Sequence, residues 1–230
     1  MRLDRLLCQH PQWSRRHAQT LLVQGKVCVD ETVIRDGTFE VSAFAHVKVD
    51  GTIVQKWQKA LYLMLHKPEG ILSATADPEH QTVMDLLPLD LASLLHIGGR
   101  LDRASSGLIL LTNDGLWSRR VTEPSLKKPK VYRVTTGNPI HPDTAKVFSE
   151  GIYFPYEDVI TSPAQLEQLG THTARLTIYE GRYHQIKRMF GRFRNPVTGL
   201  HREIMGDIKL DDTLAAGEYR FLTEKEVQSV

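Results

Sequence analysis

The sequence predicts an α+β protein with a small N-terminal domain and a larger domain built on a mixed or antiparallel sheet. The chain of 230 residues is long enough for one medium-sized domain and a small one. Several strand-like apolar runs follow residue 60 without the regular strand–helix alternation of a parallel sheet. A polar stretch at residues 55–60 precedes these runs. We therefore predict domains at residues 1–58 and 59–230.

The N-terminal domain is predicted to contain two helices followed by short strands. Leu3, Leu6 and Leu7 have the i, i+3, i+4 spacing of a helix with one apolar face. Ser14 is a good N-cap for a second helix over about residues 15–24, and Gly25 ends it. Alternating apolar residues then predict strands at 26–30 and 46–50.

In the larger domain, apolar runs predict strands and amphipathic segments predict helices. The final helix is marked by a capping box, Thr223 with Glu226. The predicted strands cover 61–65, 108–111, 130–134 and 174–179, and the predicted helices lie near 114–121, 143–150, 183–193 and 223–229.

Composition favours a soluble cytoplasmic protein. The formal net charge is only +2, yet residues 1–59 hold nine Lys/Arg against six Asp/Glu, an excess of +3. The N-terminus is too polar for a signal peptide, and no apolar stretch approaches the roughly 20 residues of a membrane span. Cys8 and Cys28 stand in no disulfide or zinc pattern. We expect no metal.

Two arginines occupy an unusual place at the start of the second helix. The helix dipole disfavours cations there, but free N–H groups and two guanidinium groups would together bind a phosphate. Arg15 and Arg16, extended by Lys26, are therefore predicted to contact RNA, unless they form only a solvated basic turn. Residues 1–50, through the Ser-Arg-Arg helix entry and the Gly-Lys-Val-x-Val-Asp turn, resemble the S4 RNA-binding domain. That resemblance implies binding of structured RNA.

The segment Gly-Arg-Leu-Asp-Arg-Ala-Ser-Ser-Gly at residues 99–107 places Asp102 on a loop before a buried strand. A loop carboxylate on a rigid scaffold is a usual catalytic arrangement, and Arg100 and Arg103 would help to keep it ionised. On the residues alone, an Asp between two Arg is more often a structural ion pair.

Three motifs in order resemble the RsuA-type pseudouridine synthases. They are GRLDRASSGLILLTNDG around Asp102, the strand Lys130-x-Tyr132-x-Val134, and EGRYHQIKRMF over residues 180–190. Two departures are Ser105 and Ser106, where Thr is frequent, and Lys187, where Arg is common. The likeness, with the S4 domain, covers nearly the whole chain. LHREIMGDIKL and LAAGEYRFLTEKEV further resemble the branch that acts on small-subunit rRNA.

The resemblance implies a reaction and a role for each matching residue. Asp102 is expected to be the nucleophile, Tyr132 to stack on a flipped uracil, and Arg182 to complete the catalytic set. If a helix starts near 182, Arg182 points inward and should pair with Asp102. His184, Arg188 and Arg192 would then lie on the opposite face, toward phosphates or solvent. The remaining expected RNA contacts are Arg100, Lys130, Lys187 and Arg188.

Isomerising uridine to pseudouridine conserves the atoms of the base, so no cofactor is expected. Asp102 would attack C1′, attack the base or assist an elimination, and the sequence does not choose among these. The expected partner is structured small-subunit (16S) rRNA, free or partly assembled, bound by a monomer during ribosome biogenesis. The alternatives are a synthase for large-subunit rRNA and a non-catalytic assembly factor. A phosphate-binding NTPase is disfavoured because no G-K-[ST] follows Gly98-Gly99-Arg100.

Overall fold

The computed structural model describes residues 1–230, apart from the side chain of Pro124, and the chain forms two compact units, Met1–Ala60 and Leu61–Val230. Each unit has its own hydrophobic core. Within the described residues, no helix combines the length and the apolar character that crossing a bilayer requires. Among the described residues, no three His, Cys, Asp or Glu side chains are grouped so that they could hold a metal ion.

The first unit packs two helices against a four-stranded antiparallel sheet of order β2-β1-β3-β4. Its elements are α1 (Leu3–Cys8), α2 (Arg15–Val23), β1 (Val27–Val29), β2 (Thr32–Val33), β3 (Val47–Val49) and β4 (Thr52–Gln55). The Ser14 side chain accepts from the His17 amide and caps α2, as predicted. Buried Leu7 and Leu22 join both helices to the strands.

The second unit is built on a nine-stranded sheet whose main path runs β11-β12-β8-β13-β7-β5-β15, with β14 beside β13 and β6 beside β7. Its strands are β5 (Tyr62–Lys67), β6 (His96–Gly98), β7 (Ser106–Thr112), β8 (Lys130–Thr136), β9 (Tyr153–Phe154), β10 (Val159–Ile160), β11 (Gln165–Gln168), β12 (Thr173–Ile178), β13 (Val197–Met205), β14 (Ile208–Lys209) and β15 (Tyr219–Phe221). β9 and β10 form a separate hairpin.

Helices and short 3-10 turns cover this sheet. The helices are α3 (Leu89–Ala92), α4 (Gly115–Thr122), α5 (Thr144–Glu150), α6 (Gln185–Gly191) and α7 (Glu224–Gln228), and the 3-10 turns are Met84–Leu86 and Pro124–Leu126. β13 pairs in parallel with β7 and antiparallel with β8, so the sheet is mixed. The predicted α+β class with a mixed sheet is confirmed.

The centre of the sheet is buried on both faces. Ile109 and Leu111 of β7 belong to one core, whereas Leu108 and Leu110 pack on the other face. β7 is therefore a rigid element, and the loop that enters it starts from a fixed position.

Candidate active site

The loop between β6 and β7, residues 99–105, carries Asp102. Ser73 holds the residue before it, because its hydroxyl donates to the Leu101 carbonyl at 2.7 Å and accepts from the Leu101 amide at 3.0 Å. The Asp102 carbonyl in turn accepts from the Ser105 amide at 3.0 Å, which closes a turn. The backbone on both sides of the acid is thus fixed by hydrogen bonds.

A buried lysine at the end of β5, Lys67, hydrogen-bonds to the backbone of the same loop. The Lys67 ammonium donates to the carbonyls of Pro68 at 2.9 Å, Arg103 at 3.3 Å and Ser105 at 2.6 Å. Burial lowers the pKa of Lys67 to about 8, although the nearby acids Glu69 and Asp102 favour its charged form. Lys67 has no surface exposure, so these carbonyls take the place of water around it.

A second buried cation, Arg202 of β13, binds the other end of the loop. Its guanidinium donates to the carbonyls of Leu108 at 2.8 Å, Gly99 at 2.8 Å and Arg100 at 3.3 Å. No carboxylate pairs with Arg202 among the described side chains. Lys67 and Arg202 therefore place two positive charges beside the loop that presents Asp102.

The side chain that contacts the Asp102 carboxylate is a histidine. His184 Nε2 lies 3.5 Å from Asp102 Oδ2, and both side chains are about one-third exposed, at 38% and 35%. His184 adopts a left-handed backbone conformation, with φ of 48°, at the N-cap of α6. Its ring stacks on Tyr183 with centroids 3.9 Å apart. The prediction that His184 lies on the helix face opposite Arg182 is wrong, because His184 precedes α6 and lines the cleft beside Asp102.

Arg182 lines the same site but makes a different ion pair from the predicted one. Its Nε lies 3.1 Å from Glu180 Oε2, and no ion pair with Asp102 exists among the described side chains. Glu180 is buried and also accepts from Gln185 Nε2 at 2.9 Å. The predicted pairing assumed a helix from 182, whereas α6 begins at Gln185, so helical periodicity does not set the direction of Arg182.

Tyr132 projects from β8 into the site and is only 7% exposed. Its hydroxyl makes no hydrogen bond to any described residue. Lys130, two residues earlier on the same face of β8, is also buried. Burial is the main cause that lowers the pKa of Lys130, and the Arg202 cation adds to it.

Two adjoining cavities bring the three predicted catalytic side chains together. One has a volume of about 110 Å³ and the other about 600 Å³, and Asp102, Tyr132, Arg182 and His184 line both. The larger volume lies in the range of ligand-binding clefts. The site thus offers an acid, a buried aromatic ring and several cations around a space open to a ligand.

Three of the predicted RNA-binding residues of the second unit line the cavities, and one does not. Arg100 and Lys187 line the cavities, and Lys130 lines the larger one. Arg188 is instead held by Glu157 through bonds of 2.8 and 3.0 Å, and its guanidinium lies 3.6 Å above the Phe154 ring.

In the first unit, Arg15 and Arg16 are exposed at the start of α2. Lys26 is also exposed, with its ammonium 2.9 Å from Asp50 Oδ2. The two arginines are free to meet a phosphate, whereas Lys26 would have to share its charge with a carboxylate.

Sequence reasoning missed Lys67, Arg202, Glu180 and the position of His184. A lysine immediately before Pro68, at the end of an otherwise apolar run, was a signal for Lys67, because a charged residue that ends a buried strand needs local partners. Arg202 gave no comparable signal, since β13 itself was not predicted.

Comparisons with known proteins agree on one family. Residues 61–191 match the model of the RNA pseudouridylate synthases, and residues 1–44 match the S4 domain. The chain is 54% identical over the full length of both proteins to ribosomal small subunit pseudouridine synthase A of Pseudomonas aeruginosa. It is 43% identical to the protein of that name in Escherichia coli, again over both full lengths. A crystal structure of a pseudouridylate synthase, 36% identical, superposes with a TM-score of 0.73 over 100% of this chain and 99% of the other.

Proposed function

The chain belongs to the RNA pseudouridylate synthase family, and we propose that it converts one uridine of small-subunit (16S) ribosomal RNA to pseudouridine. The observation that carries the proposal is the placement of Asp102 on a braced loop, in one cleft with Tyr132 and Arg182. Relatives named for the small ribosomal subunit, similar over their full lengths, support that RNA as the substrate.

In the proposed reaction, Asp102 is the nucleophile. The C1′–N1 bond breaks, the uracil turns, and C5 bonds to C1′; the proton on C5 is lost and N1 gains one. Asp102 would attack C1′, attack the base or assist elimination, and each route uses the ionised carboxylate. Asp102 is partly exposed and lines both cavities, so its carboxylate is within reach of a bound ligand.

The target uridine has to leave its stack to reach Asp102, because the cleft receives a single base rather than a duplex. Tyr132 is proposed to stack on the uracil, and its unpaired hydroxyl is available as a base toward the sugar. Arg182, held by Glu180, is proposed to contact the bound nucleotide rather than to orient Asp102. Arg100, Lys130 and Lys187 would bind nearby phosphates.

Residues 1–58 are proposed to supply RNA affinity and residues 59–230 the chemistry. Exposed Arg15 and Arg16 at the start of α2 support this division, because a helix N-terminus with two arginines attracts phosphate. The enzyme would act as a monomer in the cytoplasm during ribosome biogenesis.

The test is mapping of pseudouridine across all rRNA from cells with and without this protein. We expect one small-subunit position to lose pseudouridine and to regain it when the wild-type gene is restored, but not with Asp102→Asn. Loss at a large-subunit position would contradict the proposed substrate. An unchanged map would favour a non-catalytic assembly factor.

A further inference from the structure

The rim of the cleft carries a second aromatic residue that the proposed chemistry does not use. Tyr183 lines the larger cavity, yet 73% of it is exposed, whereas Tyr132 in the same cavity is 7% exposed. Among the described residues, no group hydrogen-bonds to the Tyr183 hydroxyl. The Tyr183 ring is therefore exposed at the edge of the cleft, where a ligand can contact it.

Tyr183 makes one contact through its ring and one through its backbone carbonyl. It stacks on His184 with an interplanar angle of 20° and centroids 3.9 Å apart, and the Tyr183 carbonyl accepts from Arg188 Nη1 at 3.3 Å. Arg188 is itself fixed by Glu157. One face of the Tyr183 ring is therefore covered by His184, and the other is available for stacking.

The surroundings of this ring match those of a single-stranded nucleic-acid site. Arg182, Lys187 and Arg188 lie within five positions of Tyr183 in the sequence; Arg182 pairs with Glu180 and Arg188 with Glu157, whereas Lys187 makes no ion pair among the described residues. Lys187 lines the smaller cavity, and Arg100 lines both. Aromatic platforms beside cationic side chains bind single strands, because bases stack on the rings while phosphates meet the cations.

We propose that Tyr183 is a stacking platform for the base next to the target uridine. This inference rests on the proposed function. When the uridine leaves its stack, its neighbour loses a stacking partner. His184 joins the two positions, since its ring stacks on Tyr183 and its Nε2 faces Asp102. Tyr183 is thus the sequence neighbour of His184, which contacts the proposed nucleophile Asp102.

The test uses the small-subunit rRNA fragment that contains the mapped uridine, with 2-aminopurine at the position 5′ or 3′ of it. Wild-type protein should quench the fluorescence of one of these two probes, because the probe base stacks on Tyr183. Tyr183→Ala should abolish the quenching and weaken binding by about 5- to 150-fold, the range for one lost base stack. Tyr183→Phe should retain both. Tyr156→Ala is the matched control, since Tyr156 is 99% exposed and lies outside the cleft.

A second RNA separates stacking from support of His184. With an abasic residue at the quenched position, wild type and Tyr183→Ala should bind equally and react equally. A persistent difference would show that Tyr183 acts only through His184 and would overturn the platform. Equal quenching by wild type and Tyr183→Ala on the intact RNA would also overturn it. Pseudouridine formation by the wild type in the same assay tests the proposed function independently.

Discussion

At the scale of single residues, catalysis is expected to depend on Lys67 and Arg202, two buried cations that hold the backbone of the Asp102 loop. Lys67 and Arg202 together donate to six carbonyls, of which four belong to the Asp102 loop: Gly99, Arg100, Arg103 and Ser105. A carbonyl left without its donor in a buried site costs roughly 1–3 kcal/mol. Removing either cation should therefore loosen the loop rather than abolish RNA binding.

Lys67→Met keeps the length of the side chain but removes all three donors. We expect kcat to fall by about 10²-fold, because misplacement of a catalytic group by about 1 Å has that effect. The Michaelis constant for RNA should change little. Single-turnover kinetics would measure this, with Lys146→Met, an exposed lysine of α5, as the control. Equal losses in both variants would contradict the role given to Lys67.

The same substitution has a defined pH signature. Burial lowers the pKa of Lys67 from 10.5 to about 8 in the folded protein, so the unfolded chain binds more protons between these values. The Lys67 contribution to the free energy of unfolding therefore rises from about pH 8 to pH 10.5 and falls as pH drops through 8. Urea unfolding should show the stability of wild type rising relative to Lys67→Met over that window. If the difference in free energy of unfolding between wild type and Lys67→Met stayed constant with pH, the pKa of Lys67 would not be lowered by burial.

The partner of Arg182 is a second residue-scale question. Arg182 and Glu180 are in contact, so the double mutant of both to Ala should deviate from additivity by about 0.5–3 kcal/mol in urea unfolding. Arg182→Ala combined with Asp102→Ala should instead be additive within about 0.5 kcal/mol. The reverse pattern would restore the pairing predicted from sequence.

At the scale of elements, the sequence predicted the strands that carry obvious apolar runs. β7 was found because Leu108 to Leu111 form a four-residue apolar run, and β8 because Val131, Tyr132 and Val134 are residues that favour strands. β13 was missed, although it is the longest strand and joins β7 to β8, because Gly199, His201 and Arg202 interrupt its apolar pattern. Arg202 is selected by its contacts with the Asp102 loop and with β7. Such tertiary contacts leave no pattern in the local sequence.

The start of α6 shows a similar limit. The sequence predicted a helix near 183–193 that starts near 182, but Gly181 to His184 form a loop that ends in a left-handed residue. The family resemblance predicted that Asp102, Tyr132 and Arg182 act together, and they line one cleft. Helical periodicity, in contrast, predicted the wrong ion-pair partner for Arg182. Contacts between distant elements, such as His184 with Asp102, leave no spacing pattern in the sequence.

At Gly107, β7 approaches the backbone of Arg202 in β13 closely. Its φ is 109°, and an added Cβ would lie 2.3 Å from the Arg202 carbonyl oxygen. Gly107→Ala should therefore destabilise the protein by roughly 1–3 kcal/mol or more through backbone strain. Gly115→Ala is the matched control, because it has ordinary φ and open space and should be neutral or slightly stabilising. Thermal unfolding of both variants is the measurement, and equal melting temperatures would refute the close approach as a constraint.

At the scale of the whole molecule, we propose that the first unit supplies RNA affinity and the second unit the chemistry. Arg15→Ala with Arg16→Ala should weaken RNA binding and reduce the salt slope by about 1–2 units, at about 0.7–0.9 per lost phosphate contact. Turnover at saturating RNA should survive. Arg119→Ala with Arg120→Ala, an exposed pair on α4, is the control. An unchanged slope for the first pair would identify it as a solvated basic turn.

The central claim is that Asp102 performs the isomerisation, and single-turnover formation of pseudouridine in the cognate rRNA fragment tests it most directly. Asp102→Asn keeps the shape of the side chain and removes its charge. We predict a loss of roughly 10³-fold or more with unchanged RNA affinity, as for a group that acts in the transition state. Asp90→Asn, an exposed acid of α3 outside the cleft, should react as wild type does. Near-normal turnover by Asp102→Asn would contradict the account.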